Sequence, residues 1–323
     1  MPNDRSPLTA VFKGVVQVRE ENGMYTPLRL TDRQLARYRE IPRCCYPYAT
    51  AGIKLEFVTD APVISFGYQY GATWTFWEDA IPQFDVYEND LLTDIFPFEL
   101  ESAAPVQMVR YTRRERAPSK ITVYFPHNAE LRVCTLSLGN CTPTPAKDRR
   151  LLVLGDSISQ GLMGNSASLC YTALVERFFD FELLNQSVGG DCFDADALDP
   201  ALPFQPTDVL VALGTNDVFF LKDLPVIRQN IAAYFVRVRE LYGAARVRFV
   251  TPPFLTDAEE IPNEFGMVLE VSREIERKCR EYGWQCVDGM KLVPHHPRFF
   301  SDHAHPNDLG FAQYALHLIR QMI

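Results

Sequence analysis

The chain reads as a two-part α/β protein: an all-β sandwich or jelly roll, followed by a parallel sheet with helices on both faces. Three observations predict this. Up to about Asn140 the apolar residues fall in short, alternating, β-branched and aromatic runs. The stretch Cys141-Thr142-Pro143-Thr144-Pro145-Ala146-Lys147-Asp148 then breaks the pattern with two X-Pro steps. Beyond it, continuous apolar runs alternate with helical periodicity, the rhythm of strands buried on both faces and joined by helices. The expected parts are residues 1–145 and 146–323.

In the first part, seven strands are expected, over 11–18, 52–58, 63–68, 84–87, 107–111, 120–125 and 131–136. Turn-formers such as Glu88-Asn89-Asp90 and His127-Asn128 separate them. One helix is expected from Asp32 to Arg39, where Thr31 can cap the free amides. Residues 141–148 read as a linker. In the second part, strands are expected over 151–154, 182–185, 208–213, 247–250 and 285–288. Helices are expected near 168–179, 223–241, 263–282 and 307–321. Ligands of such sheets bind beyond the strands' carboxyl ends.

A length of 323 residues favours two domains over one. With 47% hydrophobic and 23% charged residues, the chain has enough apolar side chains for a sizeable core. The net charge of −9 argues against nucleic acid as a partner, and the basic cluster Arg113-Arg114-Glu115-Arg116 reads as a solvated turn or strand edge. No apolar run reaches the ~18 residues of a spanning helix, so no membrane partner is expected. The start lacks the apolar stretch of a secretory signal, which leads to an expected cytoplasmic location. Eight cysteines follow no zinc or disulfide spacing and read as free thiols, although Cys134 and Cys141 could bridge a hairpin.

Four short segments of the second part carry chemistry. Gly155-Asp156-Ser157-Ile158 follows the first strand directly, and Gly155 permits a tight turn that would expose the Ser157 hydroxyl. Alone, this serine reads as a helix N-cap. The second strand runs into Gly189-Gly190, where a ligand can approach a bare backbone N–H. The third ends in Gly214-Thr215-Asn216-Asp217, whose Asn216 can aim its amide at a developing oxyanion or serve as a cap. Near the carboxyl terminus, Asp302 and His305 stand three apart, so the carboxylate can fix the imidazole tautomer while the other nitrogen faces a serine. A rival grouping of His295, His296, Asp302, His303 and His305 as a metal site matches no standard spacing. Together the four segments supply a nucleophile, oxyanion donors, and an acid–base pair, the inventory for ester cleavage through an acyl-enzyme.

The order Ser157, Gly190, Asn216, His305 resembles the SGNH (GDSL-type) hydrolase superfamily over roughly residues 149–323. The resemblance implies a three-layer α/β/α, flavodoxin-like domain with five parallel strands in the order 2-1-3-4-5, and no cofactor or metal. It implies Ser157 as nucleophile, His305 as base and acid, and Asp302 as its orienting group. The oxyanion hole would be the Ser157 N–H, the Gly190 N–H and the Asn216 side chain, with Gly190 preferred to Gly189 by its place before Asp191. Ile158 and Ser187 depart from the usual Leu and Gly without removing a donor. An all-β part ahead of such a domain is similar to two-domain esterases that deacetylate polysaccharides. The expected function is therefore hydrolysis of small acyl esters, acetyl foremost, on saccharides. Lipid or thioester hydrolysis on the same site, or an inactive carbohydrate-binding protein, are the alternatives. Trp74 and Trp77 are candidate sugar-stacking residues, although at strand spacing Trp74 shares a face with Phe76, which suits a core.

Overall fold

A computed structural model describes residues 8–73, 81–100 and 104–323. The amino-terminal half contains strands β1 (Phe12–Lys13), β2 (Gln17–Glu21) and β3 (Met24–Leu28), then helix α1 (Asp32–Arg39). The strands β4 (Lys54–Thr59), β5 (Val63–Thr73), β6 (Gln83–Glu88) and β7 (Leu91–Pro97) follow. The half closes with β8 (Gln107–Thr112), β9 (Ser119–Tyr124), β10 (Ala129–Ser137) and β11 (Thr142–Pro143). They build two antiparallel sheets, β1-β4-β9-β6-β7 with β11 beside β4, and β2-β3-β10-β5-β8. The alternation that predicts strands sets the packing: in β8, Gln107, Val109 and Tyr111 are buried while the residues between them are exposed. The core between the sheets includes Phe66, Phe84 and Phe125. Phe84 meets the other two rings edge-on at 5.2 and 5.4 Å.

The structure adds β3, β7 and β11 to the expected strands, and divides the segment 11–18 between a 3-10 turn at Leu8–Val11, β1 and β2. Pro27 hides β3, and β7 is hidden because its apolar Leu91, Leu92 and Ile95 face outward. Helix α1 forms as expected, with a full capping box between Thr31 and Gln34. All eight cysteines are free. Within the basic cluster Arg114 and Arg116 are exposed, but Arg113 is buried. Its guanidinium donates to Glu88 at 3.3 Å and Ser119 at 3.0 Å, which corrects the solvated reading for that residue. Trp74 and Trp77 lie outside the described residues.

The second half is a five-stranded parallel sheet. Its elements are β12 (Arg150–Gly155), α2 (Ser157–Gln160), α3 (Tyr171–Phe179), β13 (Glu182–Asn185), β14 (Asp208–Ala212) and α4 (Leu224–Tyr242). They continue with β15 (Arg246–Val250), α5 (Pro262–Tyr282), β16 (Gln285–Val287) and α6 (Asp308–Met322). The strand order is β13-β12-β14-β15-β16. Leu152 and Leu154 face one way, toward Ile231 and Phe235 of α4 and Val271 of α5. Leu151 and Val153 face the other, toward Val175 of α3 and Phe311 of α6. Because both faces are covered, the strands read as unbroken apolar runs. No helix among the described residues is long and apolar enough to cross a membrane.

The two halves are joined by more than a linker. The stretch 141–148 is itself tied down: β11 pairs with β4, Thr144 Oγ1 donates to Glu56 at 2.6 Å, and Lys147 Nζ donates to the Phe181 carbonyl at 3.0 Å. At the seam, Ser166 Oγ donates to buried Asp85 at 2.5 Å, and Tyr87 OH to Ser168 at 3.0 Å. Lys54 of β4 is buried between Glu56, at 3.3 Å, and Glu176 of α3. Burial alone would lower the Lys54 pKa; the carboxylate of Glu176 outweighs it, and the net shift is upward.

Candidate active site

At the end of β12 the chain turns sharply, and a Cβ at Gly155 would overlap the Ser159 side chain. Asp156, not Ser157, is the cap of α2: its Oδ1 accepts from the Ile158 N–H at 3.0 Å. Ser157 is therefore the first helical residue. Its N–H is one of those that a helix's first turn leaves unpaired, and its side chain is half-buried.

His305 Nε2 lies 2.8 Å from Ser157 Oγ, and His305 Nδ1 lies 2.8 Å from Asp302 Oδ2. The other Asp302 oxygen accepts the backbone N–H groups of Ala304 and His305 at 2.8 and 2.7 Å. Burial would raise the Asp302 carboxyl; the hydrogen bonds and charge of His305, with the two amides, outweigh it and hold it at about 2. Asp302 is thus a carboxylate at any ordinary working pH, and it fixes the Nδ1–H tautomer that turns Nε2 toward the serine.

The loop after β13 carries the two glycines. Gly189 has its N–H donated to Gln160 Oε1 at 2.7 Å and its carbonyl taken by the Cys45 N–H at 2.7 Å. Among the described residues no protein acceptor takes the Gly190 N–H. Gly190 sits at φ +81, and a Cβ there would run into the Arg43 carbonyl. Asn216 stands after β14, where its Nδ2 donates to the Asp191 carbonyl at 3.1 Å, leaving a second amide hydrogen. Ser157, Gly190 and Asn216 thus come from the carboxyl ends of the adjacent strands β12, β13 and β14.

Three buried carboxyls surround these groups. Burial pushes Asp156 up to about 6, against the Ile158 amide. It pushes Asp217 up to about 7, against the Phe193 amide, and Asp191 up to about 8, against the Tyr38 hydroxyl. The rival metal grouping is not assembled. His295 stacks on Phe254 at 3.9 Å with its Nε2 2.6 Å from the Met290 carbonyl, and His296 Nδ1 accepts from Arg298. Sequence reasoning missed Gln160, Arg29 and Tyr38. All three are buried polar residues that act across long stretches of chain, and no local pattern marks them.

The GDSL-like lipase/acylhydrolase family model matches residues 153–313, a span that holds Ser157, Gly190, Asn216, Asp302 and His305. No curated protein matches the chain in sequence. Among solved structures, the salicylyl-acyltransferase SsfX3 from a tetracycline biosynthetic pathway is similar with a TM-score of 0.77 at 19% identity, over 98% of this chain and 96% of that one. A putative GDSL-like lipase from Bacteroides ovatus gives 0.74 at 13%, over 96% and 94%. A family two carbohydrate esterase from Clostridium thermocellum, in complex with cellohexaose, gives 0.66 at 15%, over 93% and 98%. At these identities the likeness is one of fold, and it spans both halves. The chain belongs to the GDSL-like lipase/acylhydrolase family and is an SGNH-type serine esterase.

Proposed function

We propose that this esterase hydrolyses small acyl esters, acetyl foremost, on saccharide hydroxyls, with residues 146–323 as the catalytic part and 1–145 as an accessory part. The observation that carries the reading is the unbroken hydrogen-bond chain from Asp302 through His305 to Ser157 Oγ. As Ser157 Oγ attacks the ester carbonyl, His305 Nε2 takes its proton and Asp302 stabilises the imidazolium. The oxyanion accepts from the Ser157 and Gly190 N–H groups and the Asn216 amide. As the tetrahedral intermediate collapses and its C–O bond to the sugar breaks, His305 protonates the departing sugar oxygen, and the same nitrogen later activates water against the acyl-enzyme. Burial favours the protonated form of Asp191 and Asp217, which limits negative charge beside the donors Gly190 and Asn216.

Two things support a saccharide leaving group. One is the fold shared with carbohydrate esterases, including an acetyl xylan esterase from a rumen bacterium at a TM-score of 0.61. The other is a cavity of about 670 Å³ on the outer face of the sheet β2-β3-β10-β5. Arg19, Gln69, Glu130 and Arg132 line it, with Arg39 and Tyr48 as a wall. Guanidinium donors beside carboxylate acceptors, with little net charge, suit pairs of neutral hydroxyls. The cavity does not include the triad, but its Tyr48 wall belongs to the segment that packs on Gly189 and Gly190.

A fluorophosphonate probe and a pair of nitrophenyl esters test the reading. Labelling at Ser157 and faster turnover of acetyl than octanoyl ester are expected. An unlabelled wild-type protein would point to an inactive binder, and a strong octanoyl preference to a lipid hydrolase. A second reading, acyl transfer to an alcohol in place of water, is favoured by the whole-chain likeness to the salicylyl-acyltransferase. Adding an acceptor alcohol and separating the products decides it: a new ester in excess of free acid would displace hydrolysis.

A further inference from the structure

We infer that the amino-terminal half positions the oxyanion loop of the esterase, with Arg29 and Tyr38 as positioning residues for the acyl-transfer step. The inference rests on Gly190 being an oxyanion donor.

The loop from Asn185 to Asp191 is held on its inner side by its own sheet. Gln186 and Val188 donate their N–H groups to the carbonyls of Val153 and Gly155, each at 2.9 Å. These bonds lay the loop against the end of β12 after it leaves β13, and stop short of Gly190. Gln160 accepts the Gly189 N–H and Asn216 donates to the Asp191 carbonyl; on the outer side, residues 29–45 add a second set of contacts. The guanidinium of Arg29, 1% exposed, donates from Nη1 to the carbonyls of Asn185 at 3.1 Å and Ser187 at 2.6 Å. Its Nε donates to the Ala49 carbonyl at 2.7 Å, so one planar fork spans both halves. Burial pulls Arg29 down to about 10, which still leaves it charged at neutral pH. Gln34 and Gln186 exchange side-chain hydrogen bonds at 3.0 and 2.9 Å.

Gly190 itself is gripped from both sides. Before it, the Cys45 N–H takes the Gly189 carbonyl. After it, Tyr38 OH donates to Asp191 Oδ2 at 2.9 Å, both residues being buried. Against it lies the Arg43 carbonyl, in the space that any side chain would need. An oxyanion donor acts by being aimed before charge develops, so a grip on both neighbours sets the aim of the one N–H left free.

The test is Tyr38→Phe, which removes one hydroxyl from a buried contact. Removing an oxyanion donor outright costs roughly 100- to 1000-fold in kcat, so loosening one is expected to cost about tenfold. The Michaelis constant for a nitrophenyl acetyl ester is expected to stay within about twofold, because the ground-state ester carries no oxyanion. Affinity for phenylboronic acid, whose adduct on a serine mimics the tetrahedral state, is expected to fall in step with kcat. A merely structural role would move the melting temperature without that parallel. Asp191→Asn leaves one oxygen for two donors, the Tyr38 hydroxyl and the Cys192 N–H, so it too is expected to lower kcat about tenfold with little change in the Michaelis constant. It serves if Tyr38→Phe fails to fold, and a rate within twofold of wild type there would overturn the inference. If Asn216→Ala is crippled while Tyr38→Phe turns over within twofold of wild type, the positioning inference is overturned and the proposed mechanism stands. Should both variants be near normal, the oxyanion assignment itself fails.

Discussion

The two arms that meet at Ser157 are built in opposite ways. The acid–base arm is local: Asp302 binds His305 and the amides of residues 304 and 305, and the Ser301 N–H returns to the His305 carbonyl at 2.9 Å. A segment of a few residues orients its own histidine. The oxyanion arm is assembled from a distance, with Arg29 and Tyr38 more than 150 positions away in sequence from their partners. Local construction makes an arm readable and robust, whereas remote construction makes it dependent on the docking of the two halves. The contrast also separates the roles of the halves. All the reacting groups of the proposed mechanism come from one, and many of the contacts on the loop that carries Gly190 come from the other.

Breaking the local arm is expected to have the largest effect. Asp302→Asn keeps the shape but reverses the tautomer preference of His305, and kcat for an acetyl ester is expected to fall about 10⁴-fold, near 5 kcal/mol. A loss under tenfold would mean that His305 is oriented by something else. On the remote arm, Asn216→Ala removes one donor, with an expected loss of roughly 3–4 kcal/mol in kcat and little change in the Michaelis constant. A near-normal rate would remove Asn216 from the mechanism.

The smallest effect concerns His127, whose backbone carbonyl accepts from Gln160 Nε2 at 3.2 Å while Gln160 Oε1 holds the Gly189 N–H. Burial pulls the His127 imidazole down to about 4. Between about 6.5 and 4 the unfolded chain binds a proton that the folded one refuses, so stability drops as pH falls through that window. Relative to His127→Gln, the wild type is expected to lose about 3 kcal/mol from pH 7 to pH 4 in denaturant unfolding. A pH-independent difference between the two proteins would show that His127 does not titrate at the seam.

Legibility in the sequence follows the same divide. The five parallel strands were readable because apolar runs such as Leu151–Leu154 need only burial on both faces to explain them. Ser157, Asp302 and His305 were readable because each stands beside the residues that shape it. The choice of Gly190 over Gly189 rests on resemblance; that the Gly189 N–H is committed to Gln160 is a contact spanning 29 positions, which no local pattern marks. Strand β7 was illegible because it presents its leucines outward. The Thr31 cap of α1 was plain in the sequence, but nothing there says that Gln34 and Tyr38 on its buried face reach residues 186 and 191.

Lys54 draws one more consequence from the seam. Its ammonium is buried with Glu176 of the other half, and a buried charge deprived of its partner costs roughly 3–5 kcal/mol. Apolar surfaces tolerate sliding, but an ion pair does not. A docking in which α3 slipped by one turn along β4 would leave Lys54 with Glu56 but bury the Glu176 carboxylate without its cation. The pair therefore favours one register of the two halves, the one that sets the Arg43 carbonyl against Gly190.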